Sequence, residues 1–209
     1  MNKTRDVEFL LKKGHDVNEK LDNGRTALFI AIELNHTAMI ALLIHKGADV
    51  NVKDDKGLTP LHIACYHRHV DTGADVNFKS ATGYTSLHMA CRCHTNDVIA
   101  KKLLRHGAYY NLRDDKKDKT PRRHAREGGR NHLDKLLQLI DMVYRDVTRK
   151  HEEIVSNLKY LQTNYKELFD LLKFVRNSKG DSLVSLAKRG KEKNEILREV
   201  NDLLTEGTK

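Results

Sequence analysis

Asp54-Asp55-Lys56-Gly57-Leu58-Thr59-Pro60-Leu61-His62-Ile63-Ala64 opens with a turn and closes on a helix. Gly57 can take the left-handed backbone that a tight turn requires. The Thr59 hydroxyl is suited to capping a helix, and Pro60 brings a φ already set for the first helical position. Leu61 and Ala64 lie three apart and so share a helical face, where the small alanine lets a neighbouring helix come close.

The stretch recurs. Gly24-Arg25-Thr26-Ala27-Leu28-Phe29-Ile30-Ala31 sits 33 residues upstream and keeps the Gly, Thr, Leu and Ala. Tyr84-Thr85-Ser86-Leu87-His88-Met89-Ala90 is a third copy, and Thr120-Pro121-Arg122-Arg123-His124-Ala125 a degenerate fourth. A second marker keeps the same phase: Leu10 to Gly14, Leu43 to Asn51 and Leu103 to Ala108 each end an apolar pair on a glycine, as a helix C-terminus does. Thr59 to Ala64 matches the T-P-L-H-x-A element of the ankyrin repeat, a unit of about 33 residues with a turn and two helices. The chain therefore resembles the ankyrin-repeat proteins. The resemblance implies an all-α solenoid of helix-turn-helix repeats with β-hairpin turns over residues 1–140, followed by long C-terminal helices over 141–209.

Going along the chain, Val7, Phe9, Leu10 and Leu11 read as an outer helix with no inner helix before it, which must pack on the next repeat. The repeat from Asp22 to Lys53 is complete. The second is short: Gly57 to Gly83 spans 26 residues, a deficit of seven that falls between Val70 and Thr72. Either the turn closes directly and leaves part of Leu42, Leu43 and Leu103 uncovered, or the array splits there. The repeat from Ala81 to Leu112 carries one extra residue near His94 to Asp97. The last puts Arg122 and Arg123 where Leu and His stand elsewhere, as a capping repeat would.

From Leu133 the apolar period changes. Leu136, Ile140, Val143 and Val147, then Ile154, Leu158, Leu161, Tyr165, Leu168, Leu172 and Val175, form a near-continuous coiled-coil stripe with one stutter. Asn177-Ser178-Lys179-Gly180 breaks the helix, and Asp181 or Ser182 can cap another. So narrow a stripe calls for a partner helix: residues 182–204 folded back, a second copy in a homodimer, or another protein. The uncovered length favours a contact between chains.

With 32% charged and 6% aromatic residues and no apolar run of about 18, the composition suits a water-soluble helical protein with no membrane contact. Three cysteines without framework spacing point to a reducing compartment, the cytoplasm, with the nucleus also open. The net charge of +9 raises nucleic acid as a partner. The bases are dispersed, however, and the dense run from Arg113 to Arg130 has no interleaved aromatics, which disfavours single-strand stacking. That run reads first as a solvated terminal face, and otherwise as a nuclear-localisation patch or an acidic partner's docking site.

His62 and His88 share a repeat position and read as bonds between neighbouring turns, as the family resemblance implies. Cys65 and Cys91 read as small buried hydrophobes. Cys91, Cys93 and His94 with His67 and His69 lack Cys-x-x-Cys or His-x3-His spacing, so no metal is expected. No Gly-rich phosphate loop or nucleophile elbow supports catalysis, and no cofactor is expected. The hairpin asparagines Asn18, Asn51, Asn77 and Asn111 read as turn stabilisers. The resemblance implies a non-enzymatic adaptor whose variable positions on the concave face meet a protein partner. Carried onto this sequence they are Asp22, Asn23, Arg25, Glu33, Leu34, Asp55, Lys56, Leu58, Tyr66, His67, Thr82, Tyr84, Arg92 and Cys93. Tyr66, Tyr84 and Arg92 are of the types enriched at binding hot spots. A coiled-coil homodimer with passive repeats, and a basic nucleic-acid-associated factor, are the alternatives.

Overall fold

Short apolar segments punctuated by glycine become pairs of short helices. The computed structural model describes residues 9–67, 75–92, 97–149, 154–164 and 166–190. Its named helices are α1 (Ala27–Glu33), α2 (Thr37–His45), α3 (Pro60–His67), α4 (Ser86–Arg92), α5 (Val98–Arg105), α6 (Pro121–Glu127), α7 (Asn131–Arg149), α8 (Ile154–Asn164), α9 (Lys166–Leu172) and α10 (Leu183–Gly190). The inner helices α1, α3, α4 and α6 pack one on the next as a row. Ala31, Ala64, Ala90 and Ala125, one from each, are all buried, which is what allows so close a stack. Leu28, Leu61 and Leu87 fill the same row; in the fourth unit Arg122 takes that place.

The outer helices α2 and α5 end on Gly47 and Gly107, at φ 88° and 84°. Ala48 and Ala108 then donate back to the carbonyls of Leu43 and Leu103, each at 2.9 Å. Each hairpin tip is closed by a backbone bond, Leu21 N–H to Arg25 O, Asp54 to Leu58, Ser80 to Tyr84 and Asp114 to Lys119, at 2.8–2.9 Å. In the first three the tip glycine also donates back to Leu21, Asp54 or Ser80 O, at 2.8–2.9 Å. Successive tips are joined by Asp55 N–H to Asn23 O, Ala81 to Lys56 O and Asp115 to Thr82 O, at 3.2–3.3 Å. With so few bonds per tip, no strand ladder forms among the described residues, and the expected β-hairpins are tight turns.

The seven-residue deficit lies outside the described residues. The row nevertheless passes from α3 to α4 without a split. Leu43 and Leu103 are buried and Leu42 partly so; the expected uncovering of Leu43 and Leu103 does not occur. At the start, Leu11 packs on the core, but Phe9 and Leu10 are 59% and 47% exposed, so the first turn is only half seated.

The tail departs most from the sequence-based expectation. α7 runs unbroken through residue 140 and buries Leu133, Leu137, Ile140, Val143, Tyr144 and Val147. α8 and α9 pack on each other, α9 returns against α5 with Lys101 paired to Glu167 at 2.9 Å, and α10 lies on α7. Leu158, Leu161, Leu172 and Val175 are buried within this one chain, together with Phe169 and Leu171, which stand off the stripe. Short helices folded on one another and on the array thus cover these four stripe residues within one chain; the side chains of Ile154, Tyr165 and Leu168 lie outside the described residues. The break at 177–180 and the cap are as anticipated, with Ser185 N–H bonded to Ser182 Oγ at 3.1 Å.

Candidate partner-binding face

The tips and inner helices carry the positions singled out from the sequence, and they fall into three groups. In the first, Arg25 is tied down: it donates from Nε to Asp54 Oδ2 at 3.2 Å, pairs with Glu33, and lies over the Phe29 ring at 5.6 Å. Arg25 thus links unit one to unit two through Asp54, with Glu33 of its own unit as its second partner. Asp22 and Asn23 are exposed beside them, and Leu34 is 64% exposed. In the second, Asp55 and Lys56 stand exposed at the second tip, while Leu58 is half-buried on the core. Lys56 N–H is held by Asp54 Oδ1 at 2.9 Å, so the tip is rigid although its side chains are free to point outward. In the third, Tyr84 is half-buried with exposed Arg92 over its ring at 5.9 Å and Thr82 exposed nearby at the tip. Tyr66 and His67 end α3, but their side chains, and Cys93, lie outside the described residues.

Beneath this face the histidines act as expected. His62 Nδ1 accepts from Thr59 N–H at 3.1 Å and meets its hydroxyl at 2.8 Å. That leaves Nε2–H to donate to the Tyr84 carbonyl of the next unit, at 2.9 Å. His88 repeats the pattern with Thr85 and the Lys119 carbonyl. Burial pushes both imidazoles below their ordinary pKa, His88 to about 4, so both stay neutral. In unit one Phe29 stands at the histidine position, and Thr26 Oγ1 is accordingly buried without a hydrogen-bond partner.

A feature the sequence reading missed is the buried pair of His124 Nε2 with Asp114 Oδ2 at 2.7 Å, edge-on to Tyr84 and His88. Burial opposes ionisation of Asp114, but the bonds from His124 and the Lys117 amide outweigh it and hold the carboxyl below its usual range. The signal was present, since Asp114 occupies the tip position of Asp54; its partner lies ten residues on and is not legible from spacing alone.

The basic run is partly self-neutralised. Arg113 pairs with Asp118, Arg122 with Asp134, and Lys119 and Arg123 with Glu127. These contacts draw several of its cations toward the chain's own acids. Among the described residues, no helix is long and apolar enough to cross a membrane. No group of three or more His, Cys, Asp or Glu residues is placed there to hold a metal. His69, Cys93 and His94 fall outside those residues.

A model of ankyrin repeats in three copies matches residues 1–73, and one of a single ankyrin repeat matches residues 82–115. Comparison with curated proteins gives no match. The matched segments cover the first three units of the stacked row, with the tip glycines, buried alanines and bridging histidines described above; the chain belongs to the ankyrin-repeat proteins.

Proposed function

We propose that this chain is a non-enzymatic adaptor that binds a protein partner on the face formed by its hairpin tips and inner helices. Ankyrin repeats generally mediate protein–protein interaction, which gives the class. The observation that carries the finer reading is the preformed arrangement of the second and third tips. Asp55 and Lys56 project from a tip fixed by Asp54, and Arg92 is held over Tyr84, so charged and aromatic groups are presented with little ordering left to do on binding. Lys56→Glu and Arg92→Glu, both at exposed positions, test it. The intact chain immobilised on resin retains a protein that the double variant loses, with unfolding temperature unchanged. An identical retained set would overturn the reading.

A further inference from the structure

Asn177-Ser178-Lys179-Gly180-Asp181-Ser182-Leu183-Val184-Ser185-Leu186-Ala187 lies in the tail, beyond both matched segments. It aligns without a gap on Asp54 to Ala64: Lys, Gly and the final Ala coincide, Asn replaces Asp, and Ser replaces the capping Thr.

The backbone coincides as well. Asp54 N–H donates to Leu58 O at 2.9 Å and Asn177 N–H to Asp181 O at 3.0 Å. Gly57 N–H reaches Asp54 O at 2.8 Å and Gly180 N–H reaches Asn177 O at 2.9 Å. Gly57 and Gly180 have φ of 67° and 78°. Asp54 Oδ1 accepts from the second and fourth residues after it, and Asn177 Oδ1 does the same, all at 2.9 Å. A helix preceded by a hydroxyl residue follows in both cases, Thr59 Oγ1 meeting His62 Nδ1 and Ser182 Oγ accepting from Ser185 N–H, with Ala64 and Ala187 both buried. In sequence, Leu203-Leu204-Thr205-Glu206-Gly207 further downstream has the ending of Leu103 to Gly107.

We propose that residues 177–190 are the hairpin tip and inner helix of a fifth repeat unit, moved out of line by the intervening α8 and α9, and that Asn111 is the site on the array that receives it. In each earlier tip the second residue's N–H reaches back to the tip before: Asp55, Ala81 and Asp115 do so through a carbonyl. Ser178 is the corresponding residue, and its N–H goes to Asn111 Oδ1 at 2.6 Å. Asn111 in turn belongs to a ladder in which Asn18, Asn51 and Asn77 accept from the amides of Asp49, Asp75 and Tyr109 in the following unit, at 2.7–2.9 Å. Those donors each stand five residues before their tip residue, whereas Ser178 stands just after Asn177, so Asn111 holds the displaced tip itself and the ladder does not continue in register. In like position, Ala81 to Asp115 spans 34 residues and Asp115 to Ser178 spans 63; the longer span contains the inserted helical segment. Tyr110 N–H to Arg176 O at 3.0 Å seals the same junction.

The displacement has a visible result. An in-line unit would set its inner helix on α6, where Arg122 and Arg123 engage Asp134 and Glu127. α10 rests on α7 instead, one layer outward, with Leu183 and Ala187 buried and Val184 and Leu186 only partly covered. The fifth unit is thus an in-chain ligand of the array, closing the hairpin edge at Asn111 against any extended segment that would pair there.

Hydrogen exchange on the full chain tests the assignment. Asn111→Ala removes the acceptor, and amides of Leu183 to Arg189 then exchange about tenfold faster, the loss expected of one hydrogen bond, while α1, α3 and α4 are unchanged. Replacing residues 177–182 by the sequence of Asp54 to Thr59 keeps α10 protection close to native, because one tip substitutes for another. A Gly-Ser segment of equal length loses it. Unchanged α10 exchange in Asn111→Ala, uniform acceleration over the whole array, or a grafted tip that behaves like the Gly-Ser segment would each overturn the proposal.

Discussion

His62→Phe interrogates the bond between the second and third units, with a control already in the chain. Phenylalanine fits that position, since Phe29 fills it in unit one and is fully buried. The substitution therefore isolates hydrogen bonding from packing. It removes the Nδ1 acceptor of Thr59 N–H and the donor to Tyr84 O, at 3.1 and 2.9 Å. Thr59 is 1% exposed, so water cannot replace the lost acceptor. A net hydrogen bond is worth about 1 kcal/mol, and a buried donor left unpaired adds roughly 1–3 kcal/mol. The Tyr84 carbonyl loses less, because it still accepts from Ser80 N–H at 2.8 Å. The added apolar surface of phenylalanine returns part of this, leaving a destabilisation of ~2–3 kcal/mol. Urea unfolding followed by helical circular dichroism reads it as a lower midpoint at unchanged slope. A change below ~0.5 kcal/mol would mean that the histidine fills space and bridges nothing.

Acid should act through the same row. His88 titrates at about 4 when folded and near 6.5 when unfolded, so its share of stability is complete above pH 6.5 and is lost progressively as pH falls toward 4, ~3 kcal/mol in all. His88→Gln, measured against the parent at each pH, flattens that part of the profile; His124 and Asp114, which face the ring, are present in both. Asp118 holds φ at 52°, where other tips place glycine, and its pair with Arg113 is exposed. Asp118→Gly should raise stability by up to ~1 kcal/mol by denaturant midpoint. Leu172→Asp puts a charge into the buried tail and should unfold α8–α10 at unchanged sedimentation mass. A drop from dimer to monomer mass would restore the intermolecular seam.

The array was legible because its signals are local. A glycine at each tip, a hydroxyl before each inner helix and a small residue three positions after the leucine each decide a conformation within a few residues, and the phase of two markers fixes the rest. The inter-unit role of His62 and His88 followed from position, but that of Arg25 did not: it reads from sequence as a surface contact, whereas it pairs with Glu33 of its own unit and with Asp54 of the next. The cover of the tail stripe was not legible, for a different reason. Leu158, Leu161, Leu172 and Val175 do repeat at coiled-coil spacing. Spacing specifies a face and leaves its cover open, and here the cover comes from residues far away in sequence. The pairing of Lys101 with Glu167, 66 residues apart, has no local trace.

The junction between array and tail also brings two tyrosines together. Tyr110 and Tyr144 have ring centroids 5.0 Å apart; burial raises both hydroxyls well above the ordinary tyrosine value, and Tyr144 donates to the carbonyls of Val175 and Asp181. The sequence contains no tryptophan and seven tyrosines, so tyrosine emission and ultraviolet absorbance are not masked by indole. The molecule therefore carries a native optical probe at this seam. Undocking α10 frees the Tyr144 phenol from its two carbonyl bonds and uncovers its ring beside Tyr110, so its alkaline titration moves back toward the ordinary tyrosine value. Whether the tail is seated can be followed spectroscopically, without a label and without a partner.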